Sequence, residues 1–184
     1  MEQKKRKLLV VTDMQNDFIT GALGTAEARA IVDNVCARIR AFDGEIFFTM
    51  DTHNEAYMDT QEGRRLPVPH CIAGTDGWAP NAAVWMALMD RDAADEAHMV
   101  MKHGFGATEL PIRIHETLGD GVTVITLVGL CTDICVISNA MLLKTFFPEA
   151  RIVIDASCCA GVTPASHNTA LAAMAAVQMD VTGR

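Results

Sequence analysis

The chain has 184 residues, of which 50% are hydrophobic and 21% charged, with a formal net charge of −8. Such a length and composition predict one globular domain, 1–184, with a substantial core, and exclude a disordered chain. The acidic balance argues against a nucleic-acid partner, since the longest basic run is Lys4-Lys-Arg-Lys7, read as a solvated lead-in to the first strand.

The apolar stretch after that run is too short for a signal peptide and leads directly into Asp13. No segment approaches the roughly 18 continuous apolar residues of a membrane span. The expectation is a cytoplasmic protein with no membrane partner. Cys36, Cys71, Cys131, Cys135, Cys158 and Cys159 show no paired CxxC spacing. In a reducing compartment they read as structural, metal-binding or catalytic thiols, not as a disulfide framework.

Lys7–Thr12 reads as a buried strand ending at Asp13. Thr25–Arg40 carries Ala28, Ile31, Val32, Val35 and Ile39 at helical spacing. Glu45–Met50 is a second strand, ending at Asp51. An irregular stretch over 51–79 follows, and loops of that length inside a compact domain are functional or disordered. A helix is predicted from Pro80 to Met89 with proline at its start, then a short strand His98–Met101 ending at Lys102. A helix Glu109–Leu118, an apolar strand Val122–Leu130 and a helix Thr132–Phe146 come next. Arg151–Asp155 is a further strand, Cys158 and Cys159 read as packing, and a helix Pro164–Val177 precedes a short edge strand. Continuously apolar strands alternating with helices predict an α/β fold: three layers, α/β/α, around a mostly parallel, Rossmann-like sheet.

In such sheets ligands sit outside the carboxyl ends of the strands, near the point where strand order reverses. Four strand ends carry reactive residues here: Asp13, Asp51, Lys102 and the segment 131–135. Each alone reads equally as a turn or helix cap. Together they bring an acid, a cation and a thiol to one rim. Cys135 stands at the head of a helix that Thr132 or Asp133 can cap, where the dipole favours a thiolate. The competing reading is an inert buried cysteine.

The motifs Val11-Thr-Asp-Met-Gln-Asn-Asp-Phe18, Asp51-Thr-His53 with Pro69-His-Cys71, Met101-Lys-His-Gly-Phe-Gly106 and Gly129-Leu-Cys-Thr-Asp-Ile-Cys-Val136 occur in that order. With the closing Asp155-Ala-Ser, Gly-Val-Thr-Pro and Ser166-His segments they span nearly the whole chain. The set resembles the isochorismatase-like cysteine hydrolases, and within them the nicotinamidase branch. The resemblance implies a triad of Asp13, Lys102 and Cys135, and a non-proline cis peptide at Leu130–Cys131. It further implies the backbone N–H groups of Cys131 and Cys135 as oxyanion donors. Cys135 would be the nucleophile of a thioester mechanism, Asp13 its proton acceptor and general base, and Lys102 the cation that keeps Asp13 ionised and favours the thiolate. His103, beside Lys102, is a rival base ranked below Asp13.

Asp51, His53 and His70 resemble the branch's metal ligands, with Glu62 preferred to Asp59 as a further one. Such oxygen and nitrogen donors imply one divalent ion, zinc first, with manganese or iron as alternatives. Phe18, Leu130 and Phe105 are the expected substrate contacts. Where nicotinamidases place aromatic residues beside the metal ligands, this chain has Thr52 and Leu66-Pro-Val. The function implied is a metal-containing cysteine amidohydrolase, nicotinamidase first, turning nicotinamide and water into nicotinate and ammonia. The alternatives are hydrolysis of another small amide or N-carbamoyl compound, and a non-enzymatic small-molecule sensor. An isochorismatase would leave the metal set idle. The expected partner is a small amide, with self-association into a homo-oligomer as a family habit.

Overall fold

The computed structural model describes residues 6–184; Lys4 and Lys5 of the basic run lie outside the described residues, while Arg6 and Lys7 open the first strand. Six strands form one sheet: β1 Arg6–Thr12, β2 Glu45–Asp51, β3 Met99–Lys102, β4 Val122–Leu130, β5 Arg151–Ala160 and β6 Asp180–Thr182. Their order is β3-β2-β1-β4-β5-β6, and every neighbouring pair is parallel. The sheet is therefore parallel throughout, and the predicted α/β architecture is the one observed. The chain winds outward from β1 to β3, crosses back to β4 and winds outward again. The reversal puts the crevice beyond the carboxyl ends of β1 and β4 at the switch point, where ligands bind in such sheets.

The helices are α1 Asn16–Ile19, α2 Ala26–Ala30, α3 Val32–Ala41, α4 Gln61–Arg65, α5 Ala82–Met89, α6 Glu109–Leu118, α7 Ile137–Phe146 and α8 Pro164–Ala176. Successive strand residues point to opposite faces, so β1 feeds two cores. Leu8 and Val10 pack with Leu110 and Ile114 of α6, Leu143 of α7 and Leu171 of α8. Leu9 and Val11 pack with Ala28 of α2, Val35 and Ile39 of α3 and Leu88 of α5. Burial on both faces explains why the strands read as unbroken apolar runs. No described helix is long and apolar enough to cross a membrane.

Four elements differ from their sequence prediction. The helix expected over 25–40 is two, capped by Thr25 and broken at Ile31, and the apolar spacing passes through the break because Ala28 and Val35 both stay in the core. The helix expected from Pro80 begins at Ala82, because Asn81 caps it and its own N–H is held by the Met14 carbonyl. β5 continues past Asp155 to Ala160 through small residues, all buried except Ser157, with a register shift between Leu127 and Gly129 that pairs Gly129 with Cys159. The helix expected at Thr132 opens with a wide π-helical turn, Thr132–Val136, and α7 follows it. The 51–79 stretch is ordered: it holds a 3-10 turn at Tyr57–Asp59, α4, and a parallel bridge between His53 and Ile72.

Candidate active site

Asp13 leaves the end of β1 with a positive φ of 47°, and its amide donates to the Thr49 carbonyl of neighbouring β2. Asp and Asn are the residues other than glycine that take this conformation most readily. The turn aims the carboxylate across the rim, where Thr49 Oγ1 donates to Asp13 Oδ1 at 2.6 Å. Asp13 Oδ2 lies 2.8 Å from Lys102 Nζ, which comes from the end of β3. That ammonium also donates to Asp51 Oδ1 at 3.0 Å, to the Gly104 carbonyl at 3.0 Å and to Cys135 Sγ at 3.4 Å. An ammonium has three N–H groups, which these three acceptors take up, so Asp13 Oδ2 is held at 2.8 Å as an ion pair without a hydrogen bond of its own. Asp13, Lys102 and Cys135, from three separate strand ends, thus meet in a buried cluster.

The electrostatics bear on one expectation. Burial pushes the Cys135 thiol well above its ordinary range, and the Asp13 charge adds to this while Lys102 opposes it. Burial works against the anticipated thiolate, and the one cation that would favour it is shared with two carboxylates. Burial also raises Asp13 against the pull of Lys102. Burial works against the charge on Lys102, yet Asp13, Cys135 and Asp51 outweigh it and hold the amine protonated. Burial thus favours the protonated form of both the Cys135 thiol and the Asp13 carboxyl, and the Lys102 ammonium between them opposes it.

The Leu130–Cys131 peptide is cis, at the position the resemblance implies. Gly129 before it has φ +112°, and a Cβ there would stand 2.1 Å from the Thr12 carbonyl oxygen, so only glycine fits. Past the bond, the N–H groups of Ile134 and Val136 both donate to the Cys131 carbonyl, which tightens the turn that presents Cys135. Neither expected cap acts as one. Thr132 Oγ1 pairs with His167 Nδ1 at 2.8 Å, and Asp133 Oδ1 accepts from Val162 N at 3.1 Å, so both hold the turn to the segment after β5. The Cys131 thiol is pushed up to about 12, by burial first and then by Asp133 and Asp13. His103 is exposed, with Nδ1 2.8 Å from the Thr52 carbonyl and its ring outside the cluster.

Asp51 closes β2, and its carboxylate faces two ways. Oδ1 takes the Lys102 hydrogen bond; Oδ2 lies 3.1 Å from His53 Nε2 and 3.5 Å from His70 Nε2. One donor atom from each of Asp51, His53 and His70 falls within 4.8 Å of the others. Glu62, two residues past the α4 cap Thr60, brings Oε1 to 3.8 Å from His53 Nε2 and 3.9 Å from His70 Nε2. Asp59 lies outside this group, exposed on the 3-10 turn. His70 Nδ1 donates to the Val68 carbonyl at 2.9 Å, which turns Nε2 toward the carboxylates and makes it the nitrogen that would lose its proton to a metal. A metal-binding imidazole commonly has its other ring N–H fixed on a carbonyl in this way. Tyr57 packs edge-on against both imidazoles, at 4.7 Å and 5.0 Å between centroids. Two imidazole nitrogens and one or two carboxylates suit a divalent transition metal. Hydrogen bonds from His53 and His70, with the Lys102 charge, hold the Asp51 carboxyl below the usual range in spite of its burial.

A cavity of about 300 Å³ joins the two groups, lined by Cys131, Ile134 and Cys135 on one side and by Asp51, Glu62 and His70 on another. All three expected substrate contacts, Phe18, Leu130 and Phe105, line it. Leu66, noted in the sequence beside the expected metal ligands, also lines it; sequence reasoning missed Leu23, Thr25, Ala28, Gly161 and Val162, and Thr49, which orients Asp13. These carry no recognisable chemistry in the sequence; only the fold brings them to the site.

A parallel sheet with an acid, an ammonium and a thiol meeting at its switch point has the construction of a nucleophilic enzyme. The Isochorismatase domain family matches residues 7–184, and the chain belongs to that family and is a hydrolase. A Bacillus subtilis isochorismatase family protein, PncA, is 26% identical over 176 residues, covering 90% of this chain and 92% of that protein. The crystal structure of nicotinamidase/pyrazinamidase PncA from Bacillus subtilis aligns with a TM-score of 0.83 at 27% identity, over 96% of this chain and 99% of that one. The pyrazinamidase of Pyrococcus horikoshii, solved in complex with zinc, aligns at 0.80 with 24% identity, over 97% and 99% of the two chains, a likeness of fold.

Proposed function

We propose that this isochorismatase-family hydrolase is a metal-containing cysteine amidohydrolase acting on nicotinamide. The class of reaction, amide-bond hydrolysis, follows from the family and from the relatives it aligns with. One observation carries the finer reading: a single cavity has Cys135 on one wall and the Asp51–His70 group on another, with Asp13 and Lys102 directly behind the sulfur.

In this mechanism the substrate carbonyl sits over Cys135. Sγ attacks the carbonyl carbon as Asp13 takes the thiol proton, and the carboxylate raised by burial is the stronger base for that transfer. The N–H groups of Cys131 and Cys135 receive the oxyanion. Asp13 returns the proton to the departing nitrogen, ammonia leaves, and a thioester remains on Cys135. Asp13 then deprotonates the water that hydrolyses it. Lys102 stays charged throughout and holds Asp13 against the sulfur. Asp51, His53 and His70, with Glu62 beside them, would hold one divalent ion, zinc by ligand type, which when bound would orient a heterocyclic nitrogen or water at that end of the cavity.

The lining favours a neutral substrate. Its ionisable residues besides the cysteines and His70 are Asp51 and Glu62, and none of the described lysines or arginines lines it. A carboxylate-bearing N-carbamoyl compound would have the metal ion as its one counter-charge on that wall, whereas nicotinamide carries no charge and needs none. The wall of Leu23, Leu66 and Val162 is aliphatic, which supports a second reading, a neutral small amide other than nicotinamide.

The test is ammonia release by the metal-loaded protein from nicotinamide, pyrazinamide and N-carbamoyl amines, with Cys135→Ala and Cys131→Ala alongside. Nicotinamide turnover that Cys135→Ala abolishes and Cys131→Ala retains is the expected result. No turnover of any amide sinks the reading; loss in Cys131→Ala with retention in Cys135→Ala reverses the nucleophile.

A further inference from the structure

The segment that follows the catalytic aspartate has side chains which the mechanism above does not use. Gln15 is fully buried, and its amide forms a two-way pair with the Asp51 peptide: Nε2 donates to the Asp51 carbonyl at 2.9 Å, and Oε1 accepts the Asp51 N–H at 2.8 Å. The same Nε2 donates to the Trp78 carbonyl at 2.9 Å. The side chain thus acts as one further rung of sheet pairing at the point where β2 ends.

Two residues on, Asp17 Oδ2 accepts the Cys71 N–H at 2.8 Å, next to His70. Cys71 has a positive φ of 47°, and its carbonyl accepts the His53 N–H at 2.9 Å, while the His53 carbonyl accepts from Ala73. One carboxylate therefore fixes the backbone that carries His70, and through Cys71 the backbone that carries His53. The fit is close: a Cβ on Gly77 would come within 2.2 Å of Asp17 Oδ2. The segment itself is held from outside by Asn16 N on the Ala79 carbonyl, Asp17 N on Gly77 and Asn81 N on Met14.

We infer that Gln15 and Asp17 are positioning residues for the metal group: Gln15 sets Asp51, and Asp17 sets His70 and His53. The alternate residues Asp13, Gln15 and Asp17 of one short segment then serve the proton acceptor, the carboxylate ligand and the imidazole ligands in turn. This inference rests on the metal reading of Asp51, His53 and His70. Gln15→Glu keeps the shape but replaces the amide donor with an acceptor facing the carbonyls of Asp51 and Trp78. Asp17→Asn keeps one acceptor oxygen where Asp17 supplies two, to Cys71 N and, at 3.3 Å, to Ala22 N. Loss of such outer contacts weakens metal binding by about 10–100-fold.

The experiment measures zinc affinity of the full chain by competition with a chromogenic chelator, and melting temperature with and without zinc. Gln15→Glu and Asp17→Asn should bind zinc about tenfold or more weakly, and the zinc-induced rise in melting temperature should shrink. Arg91→Met is the control: Arg91 holds the carbonyls of Ile39, Arg40 and Phe42 at the end of α3, so its loss lowers the melting temperature and leaves zinc affinity unchanged. Should Gln15→Glu fail to fold, Gln15→Asn, which withdraws the same amide by one methylene, takes its place. Variant affinities within twofold of wild type overturn the inference. A wild type that binds zinc but hydrolyses no amide overturns the proposed function and leaves this inference standing; a wild type that takes up no zinc overturns the metal reading and this inference with it.

Discussion

Lys102 Nζ lies 3.0 Å from Asp51 Oδ1, while the other oxygen of the same carboxylate faces His53 and His70. One buried acid thus joins the thiol cluster to the imidazole group, and the lysine compensates two carboxylates at once. Replacing it tests both halves together.

Lys102→Met leaves Asp13 and Asp51 buried without their cation. Breaking a buried ion pair from one side costs about 3–5 kcal/mol, and a loss of that order is expected in urea unfolding, with no amide turnover. Adding Asp13→Asn should restore part of the stability and none of the activity. The pH dependence has a definite sign. The pKa of Lys102 is raised on folding, so its contribution is complete below the unfolded value of about 10.4 and is lost only as the pH rises beyond it. A fall in stability between pH 7 and 10 that Lys102→Met abolishes would contradict this assignment.

Asp13 has the opposite sign to a typical paired carboxylate. Its folded pKa is raised, so protonation favours the folded state, and the ionised base is lost as the pH falls through that raised value. The acid limb of kcat/KM, measured with saturating metal, should lie above the ordinary aspartate value of about 3.9. Thr49→Val removes the 2.6 Å hydrogen bond that favours the ionised form. The limb should therefore move to higher pH in that variant. An unmoved limb would assign the titration to another group.

Gly129→Ala combines a φ of +112° with a methyl group 2.1 Å from the Thr12 carbonyl. Backbone strain of that kind costs on the order of 1–3 kcal/mol before any clash is counted. The expected result is a lower urea midpoint and lost turnover, since Gly129 carries the turn to Cys135. Unchanged stability would show that β1 and β4 separate easily at the rim.

His53→Ala should lose bound metal, read by elemental analysis of the purified protein. Glu62→Gln should retain metal with weaker affinity, because the Glu62 oxygen stands 3.8–3.9 Å from the imidazoles whereas Asp51 comes within 3.1 Å of His53. Equal losses in both variants would make Glu62 a full ligand.

Much of this arrangement is legible in the sequence, for a physical reason. Strands buried on both faces must be apolar throughout, so the polar residue that ends each one is conspicuous, and Asp13, Asp51 and Lys102 are all of this kind. The break at Ile31 is not legible, because the apolar positions on either side keep their helical spacing. The wide turn at Thr132–Val136 is hidden likewise, since an extra residue in a turn leaves no mark on composition. The burial that opposes a thiolate at Cys135 is not legible from the helix start or from Lys102, and the sharing of that lysine with Asp51 shows only in three dimensions. Gln15 and Asp17 act by holding backbone groups, and backbone groups have no letter in the sequence.

The strand order has a consequence for how activity is acquired. Cys135, Asp13 and Lys102 come from the ends of β4, β1 and β3, so the proposed catalytic centre is assembled from segments far apart along the chain. No contiguous fragment shorter than Asp13–Cys135 contains all three. Recovery of turnover during refolding would accordingly report the closing of the crossover between the two halves of the sheet, and a species with native helix content but without that closure would be silent in the assay.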